Sequence, residues 1–177
     1  MICDIDDILI SGKTKQEHRE RLDLVLSRLE EAGVTLNQKC QFELEEVKFI
    51  GNILNKDGVK IDPEKVEAIT KMSSPKSITE LRRFMGMVNH LGKFTPNLAE
   101  KTKPMRELLK RKNEWSWNIE HEEAFQKVKK LMIEAPTLAH YDVTKETRVS
   151  SDASKNGLGA VLLQKHDEWK PVFCTSR

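Results

Sequence analysis

The strongest constraint on the fold lies at Asp62-Pro63, where an N-capping acid precedes a proline suited to the first helical position. Before it, "VTLN", "CQFEL" and "VKFIGNIL" are short apolar runs bounded by turn residues and are expected to be strands, the last turning at Lys56-Asp57-Gly58 into "VKI". Residues 1–10 read as two short strands meeting at a turn. One helix interrupts them: Thr14 and Glu17 have capping-box spacing, Leu22, Val25, Leu26 and Leu29 form a stripe, and Gly33 stops it. After Asp62 the pattern turns helical. "EKVEAITKM" is followed by a helix opened by Ser77 and Glu80, with a stripe of Leu81, Phe84, Met85, Val88 and Leu91. Pro96 and Pro104 break the next stretch, and a further helix runs from a cap at Asn118 to Pro136. Residues 146–177 return to strands, with turns at Lys155-Asn156-Gly157 and His166-Asp167-Glu168. Strands with one helix, then helices, then strands specify an α+β chain built in series, not a single doubly wound sheet.

The net charge of +2 hides an uneven distribution. Residues 1–62 carry 9 Lys and Arg against 13 Asp and Glu, whereas residues 93–112 carry 7 against 2. A basic island beside an acidic one fits a polyanion held near a metal site, although a solvated basic helix face has the same balance. Cys3, Cys40 and Cys174 are odd in number and far apart, which argues against a disulfide framework or thiolate zinc site and for a reducing compartment. The histidines show no ligand spacing. No apolar run approaches the ~18 residues of a membrane span, and the acidic start "MICDIDD" is unlike a signal peptide. A soluble, intracellular protein, cytoplasmic or nuclear, is expected.

The stretch "CDIDDILI" places the adjacent acids Asp6 and Asp7, with Asp4 just ahead, inside a β-branched run. Neighbouring carboxylates repel unless a cation shares the site, and the natural guest is a hard divalent ion, Mg²⁺ or Mn²⁺. A solvated turn also explains an Asp-Asp pair, but this one is flanked by apolar residues on both sides.

At this point a resemblance enters. "DIDDILIS" resembles the aromatic-x-Asp-Asp motif of reverse transcriptases. Downstream, "LDLVLSRLEEAGVTLNQKCQF", "VKFIGNILNKDGVKIDPEKVEAI", "SITELRRFMGMVNHLGKFTPNLAEKTKPMRELLK", "EWSWNIEHEEAFQKVKKLMIEAPTLAHYD" and "SSDASKNGLGAVLLQ" are similar, in order, to segments of gypsy-type long-terminal-repeat retrotransposon Pol polyproteins. The resemblance implies the C-terminal part of a polymerase palm with its primer-grip hairpin over 1–62, and a helical thumb over 63–113. It implies a tether helix and the first strands of a ribonuclease H-like domain over 114–177. It implies metal-binding catalytic roles for Asp6, Asp7 and Asp152. Phe49, Ile50 and Gly51 fall on the primer grip; Lys101, Lys103, Arg106, Lys110, Arg111 and Lys112 fall on the thumb's end, where a duplex backbone passes; Lys39 falls near the nucleotide. Trp115 and Trp117 are expected to anchor the tether helix in the core. The implied partners are an RNA or DNA template-primer duplex, a dNTP and the remainder of the Pol polyprotein, with no membrane. The implied chemistry is RNA-directed DNA synthesis by two-metal nucleotidyl transfer, with cleavage of the RNA of the hybrid.

The chain departs from that pattern in two respects. Asp4 stands where the family carries an aromatic, putting a carboxylate where phosphate would pass. The family's other polymerase metal ligand lies upstream of Met1, and its further ribonuclease H acids have no counterpart after Asp152. These 177 residues alone are therefore expected to be inactive, binding metal only when the missing ligands are supplied. The alternatives are a nucleic-acid-binding remnant without chemistry and a decayed or incomplete gene product.

Overall fold

In the computed structural model, which describes residues 2–4, 7–110, 113–154 and 157–177, the change of pattern at Asp62 is a change of secondary structure. The chain forms two compact units, Met1–Leu44 and Glu45–Arg177.

The first unit begins with two antiparallel strands, β1 (Ile2–Asp4) and β2 (Asp7–Leu9), in the register Ile2↔Leu9, Cys3↔Ile8 and Asp4↔Asp7. Helix α1 (Lys15–Glu31) starts where the capping residue places it: the Thr14 hydroxyl accepts from the Glu17 backbone N–H at 3.1 Å. The expected stripe of Leu22, Val25, Leu26 and Leu29 is only half-buried, and no residue of α1 is fully buried. The expected strands "VTLN" and "CQFEL" are absent. Residues 34–44 form no ladder, because no described strand lies beside them to pair with their backbone, and Val34, Leu36, Phe42 and Leu44 stand exposed.

The second unit opens with an antiparallel meander of β3 (Glu46–Phe49), β4 (Asn52–Asn55) and β5 (Gly58–Ile61). The run "VKFIGNIL", expected as one strand, is two strands joined at Ile50-Gly51. Asp62 then caps α2 (Pro63–Thr70), accepting from the Glu64 N–H at 3.0 Å, while Lys48 reaches its other oxygen at 2.7 Å. Ser77 caps α3 (Ile78–His90), whose residues Leu81, Phe84, Met85 and Val88 are all buried. A 3₁₀ turn (Gly92–Phe94) and the short helices α4 (Leu98–Lys101) and α5 (Lys103–Leu108) follow. Helix α6 (Ile119–Ile133) carries a full capping box between Asn118 and His121.

Helix α6 shares one core with α2 through α5. Phe125 packs on Phe84 with ring centroids 4.5 Å apart, and Val128 and Met132 lie in the same cluster as Ile69, Leu81 and Met105. Each such side chain contributes about 1.5–3 kcal/mol by leaving water. Trp117 meets the edge of Phe125 at 5.9 Å and stacks on Trp115 at 5.8 Å, so the tryptophans anchor the helix as expected.

The last strands, β6 (Thr147–Ser154), β7 (Gly157–Lys165) and β8 (Trp169–Ser176), form a second antiparallel meander with β7 in the centre. The connection before them ties the two sheets together. Val59 and Leu138 exchange backbone hydrogen bonds of 2.8 and 2.9 Å, and the Ala139 N–H donates to the Pro171 carbonyl at 2.7 Å. Gly58 makes this possible: its φ is +140°, and a Cβ there would overlap the Leu138 carbonyl oxygen. No helix among the described residues is long and apolar enough to cross a membrane.

Candidate functional site

The residues expected to carry the chemistry fall at four places in the chain, with Lys39 apart from them. The first is the acidic hairpin. Asp4 and Asp7 are cross-strand partners at the end of β1 and β2, both exposed. Directly opposed like charges destabilise a strand pair, so a cation between them would be favourable. Asp6 lies outside the described residues. Among the described residues, no three His, Cys, Asp or Glu side chains converge as metal ligands.

The second is the turn between β3 and β4. Phe49 pairs with Asn52, which leaves a two-residue loop, and both loop residues are left-handed: Ile50 at φ 48° and Gly51 at φ 65°. Mirror-image turns match the twist of paired strands and normally take Asn-Gly. A β-branched residue at positive φ is strained, and such strain collects at functional positions. The surroundings hold it in place. Phe49 is buried at the base, Asn52 is buried and donates its side-chain N–H to the Ile50 carbonyl at 3.0 Å, and Ile50 is 46% exposed at the apex. The Asn52 Oδ1 is buried without a partner.

Gly51 does something the sequence did not suggest. A Cβ at this position would overlap the Lys65 ammonium, so the missing side chain makes room for a lysine from α2 instead of open space. Lys65 Nζ lies 3.1 Å from His90 Nε2 at the end of α3. These residues lie far apart in sequence, and no local pattern links them.

The third place is the basic segment. Lys101 donates to the Pro96 carbonyl at 2.9 Å, Arg106 to the Ala99 carbonyl at 2.8 Å, and Lys110 pairs with Glu107 at 2.6 Å. Burial, followed by the charge of Lys127, holds Lys101 below the ordinary lysine range. Much of this charge is thus spent inside the fold. Lys103 is half-buried in the first turn of α5. Arg111 and Lys112 lie outside the described residues.

The fourth is Asp152, exposed on β6 opposite Gly159. It lines a small surface pocket with Asn97 and Glu100 of the α4 region. Glu100 is a second carboxylate that sequence reasoning missed, since only the packing of α4 on β7 brings it there. Lys39 stands apart and exposed in the first unit, its backbone N–H donating to Asn37 Oδ1 at 3.0 Å.

Comparison with known proteins now adds to this geometry. Residues 117–177 match the RNase H-like domain found in reverse transcriptase. Over 171 residues the chain is 37% identical to the Transposon Tf2-3 and Tf2-7 polyproteins of Schizosaccharomyces pombe, a stretch covering 96% of this chain. Over nearly its full length the chain is therefore similar to these transposon polyproteins. It spans 13% of the length of these relatives. Among solved structures, the foamy viral protease-reverse transcriptase dRH in complex with dsDNA superposes with a TM-score of 0.81 at 26% identity, over 94% of this chain and 30% of that one. The foamy viral protease-reverse transcriptase in complex with an RNA/DNA hybrid gives 0.78 at 26% identity, over 94% and 23%. The mixed α/β architecture is therefore that of a reverse transcriptase and RNase H-like region.

Proposed function

We propose that this chain is the part of a retrotransposon reverse transcriptase that grips a template-primer duplex and passes it toward an attached ribonuclease H. In this reading residues 1–62 are the C-terminal palm, 63–113 the thumb, and 114–177 the tether and first ribonuclease H strands. The observation that carries it is the strained, exposed Ile50-Gly51 apex, braced by Phe49 and Asn52 and flanked by Lys65. A rigid apolar apex beside a cation suits a sugar-phosphate backbone, which is bound through charge and shape without regard to sequence. The duplex-bound foamy viral relatives support this reading.

Asp6 and Asp7 would hold a divalent ion in the polymerase site, and Asp152 one in the ribonuclease H site. Carboxylate oxygens are the hard donors that Mg²⁺ or Mn²⁺ takes, and those of Asp7 and Asp152 are exposed. When bound, such an ion supplies charge neutralisation for phosphoryl transfer. A two-metal site takes more oxygen ligands than these acids provide, so catalysis by this chain depends on ligands from elsewhere. The chain's own residues position the duplex: the apex contacts the primer, and Lys103 and Lys110 lie on the path of its backbone, with Arg111 and Lys112 next to them in sequence. Lys39 would face the incoming dNTP.

Binding of a fluorescent RNA/DNA hybrid, followed by anisotropy over a salt series, tests this reading. Affinity is expected to fall steeply with salt, and no binding at low salt would overturn it. Primer extension with Mg²⁺ tests the dependence on outside ligands: incorporation by the 177-residue chain, lost in Asp6→Ala, would refute that part.

A further inference from the structure

We propose that Lys65, His90 and Lys93 form a phosphate-binding cluster beside the Ile50-Gly51 turn, which takes one or two backbone phosphates of the bound strand. This rests on the duplex-gripping function above, and adds residues from α2, α3 and the 3₁₀ turn to the contact surface.

Three observations carry it. Lys65 Nζ is 3.1 Å from His90 Nε2, an arrangement in which the ammonium donates and the ring nitrogen accepts. Lys65 therefore spends its closest contact on a ring nitrogen, not on a carboxylate. Among the described residues, neither Lys65 nor Lys93 has a carboxylate within ion-pair distance; Asp62, the acid that feels Lys65, is already held by Lys48 at 2.7 Å. Lys93 is half-buried, with Nζ 5.1 Å from the Phe94 ring centroid, and burial followed by the charge of Lys65 holds it below the ordinary lysine range. Cations gathered with no counter-charge cost free energy unless an anion completes the site. Lys101, Arg106 and Lys110, by contrast, bond to carbonyls or to Glu107.

Gly51 fits the same account, since its absent Cβ is what lets the Lys65 ammonium sit at the apex. A phosphate here would meet two ammonium groups and an imidazole while the strand's sugars pass Ile50. This is charge-assisted binding of a phosphodiester, indifferent to base identity.

The experiment has two arms on the full 177-residue chain. In the first, an RNA/DNA hybrid is titrated over a salt series against wild type, Lys65→Gln/Lys93→Gln, and the control Lys71→Gln, whose ammonium is paired with Glu67. Each lost phosphate contact lowers the slope of log K against log salt by about 0.9, which is about eightfold in affinity at 0.1 M salt. The double variant is expected to lose up to twice that slope, and the control to be unchanged. Equal slopes in wild type and double variant would overturn the proposal. In the second arm, inorganic phosphate is titrated while the His90 ring resonances are followed by NMR. Shifts that saturate in wild type and vanish in the double variant support the cluster even if the hybrid does not bind, in which case the duplex-gripping function fails alone. No phosphate-dependent shift at His90 overturns the cluster.

Discussion

Gly58→Ala tests how the two sheets of the larger unit are joined. At φ +140° an alanine sits in a region that only glycine occupies freely, which costs about 1–3 kcal/mol. Its Cβ would also overlap the Leu138 carbonyl oxygen, so the Val59–Leu138 pair of hydrogen bonds, 2.8 and 2.9 Å, must open. Two such bonds contribute about 0.5–1.5 kcal/mol each. The combined loss is about 2–6 kcal/mol, a large part of the ~5–15 kcal/mol that holds a domain together. Trp115, Trp117 and Trp169 all lie within Glu45–Arg177, so urea unfolding followed by tryptophan emission reports on this unit alone. Gly86→Ala is the matched control: it lies inside α3 with no atom near the added Cβ, and alanine there should stabilise by about 0.5–1 kcal/mol. A loss below about 1 kcal/mol for Gly58→Ala would refute the claim that this backbone bridge is a main tie between the sheets.

Phe84→Ala is expected to cost about 3–5 kcal/mol in the same urea assay, because the ring is fully buried 4.5 Å from Phe125. Asp62 sets an acid limit. The Lys48 hydrogen bond, followed by the Glu64 N–H, holds its carboxyl below the ordinary Asp value of 3.8, so its stabilisation is complete at neutral pH and is lost as pH falls from about 3.8 through the folded value. Thermal melts from pH 6 to about 2 should therefore show a smaller acid-induced drop for Asp62→Asn than for wild type, since the variant lacks this linkage.

Helix starts were legible because caps are local. Thr14, Asp62, Ser77 and Asn118 each accept the backbone bond that their sequence context implies. The α3 stripe was legible for the same reason, as periodicity alone selects the buried face. The turn between the last two strands followed from its His-Asp-Glu signal, whereas Lys155 and Asn156 of the expected Lys155-Asn156-Gly157 turn lie outside the described residues. The Ile50-Gly51 turn was visible only through resemblance, because isoleucine at positive φ runs against local preference and is imposed by Phe49, Asn52 and the β3–β4 pairing. Residues 34–37 and 40–44 have strand-like composition, but composition cannot supply a neighbouring strand. The Lys65–His90 contact, and the meeting of Glu100 with Asp152, are products of packing between distant segments. Charge counting found the basic segment but could not show that several of its cations bond inward.

The proposed grip on the duplex depends on the Ile50-Gly51 apex touching the primer strand, and a photo-crosslinker in place of Ile50 examines that contact directly. After irradiation with a labelled RNA/DNA hybrid, adducts are expected on the primer strand near its 3′ end, and to fade as salt is raised. Adducts confined to the template strand, or their absence while the hybrid remains bound, would contradict the account.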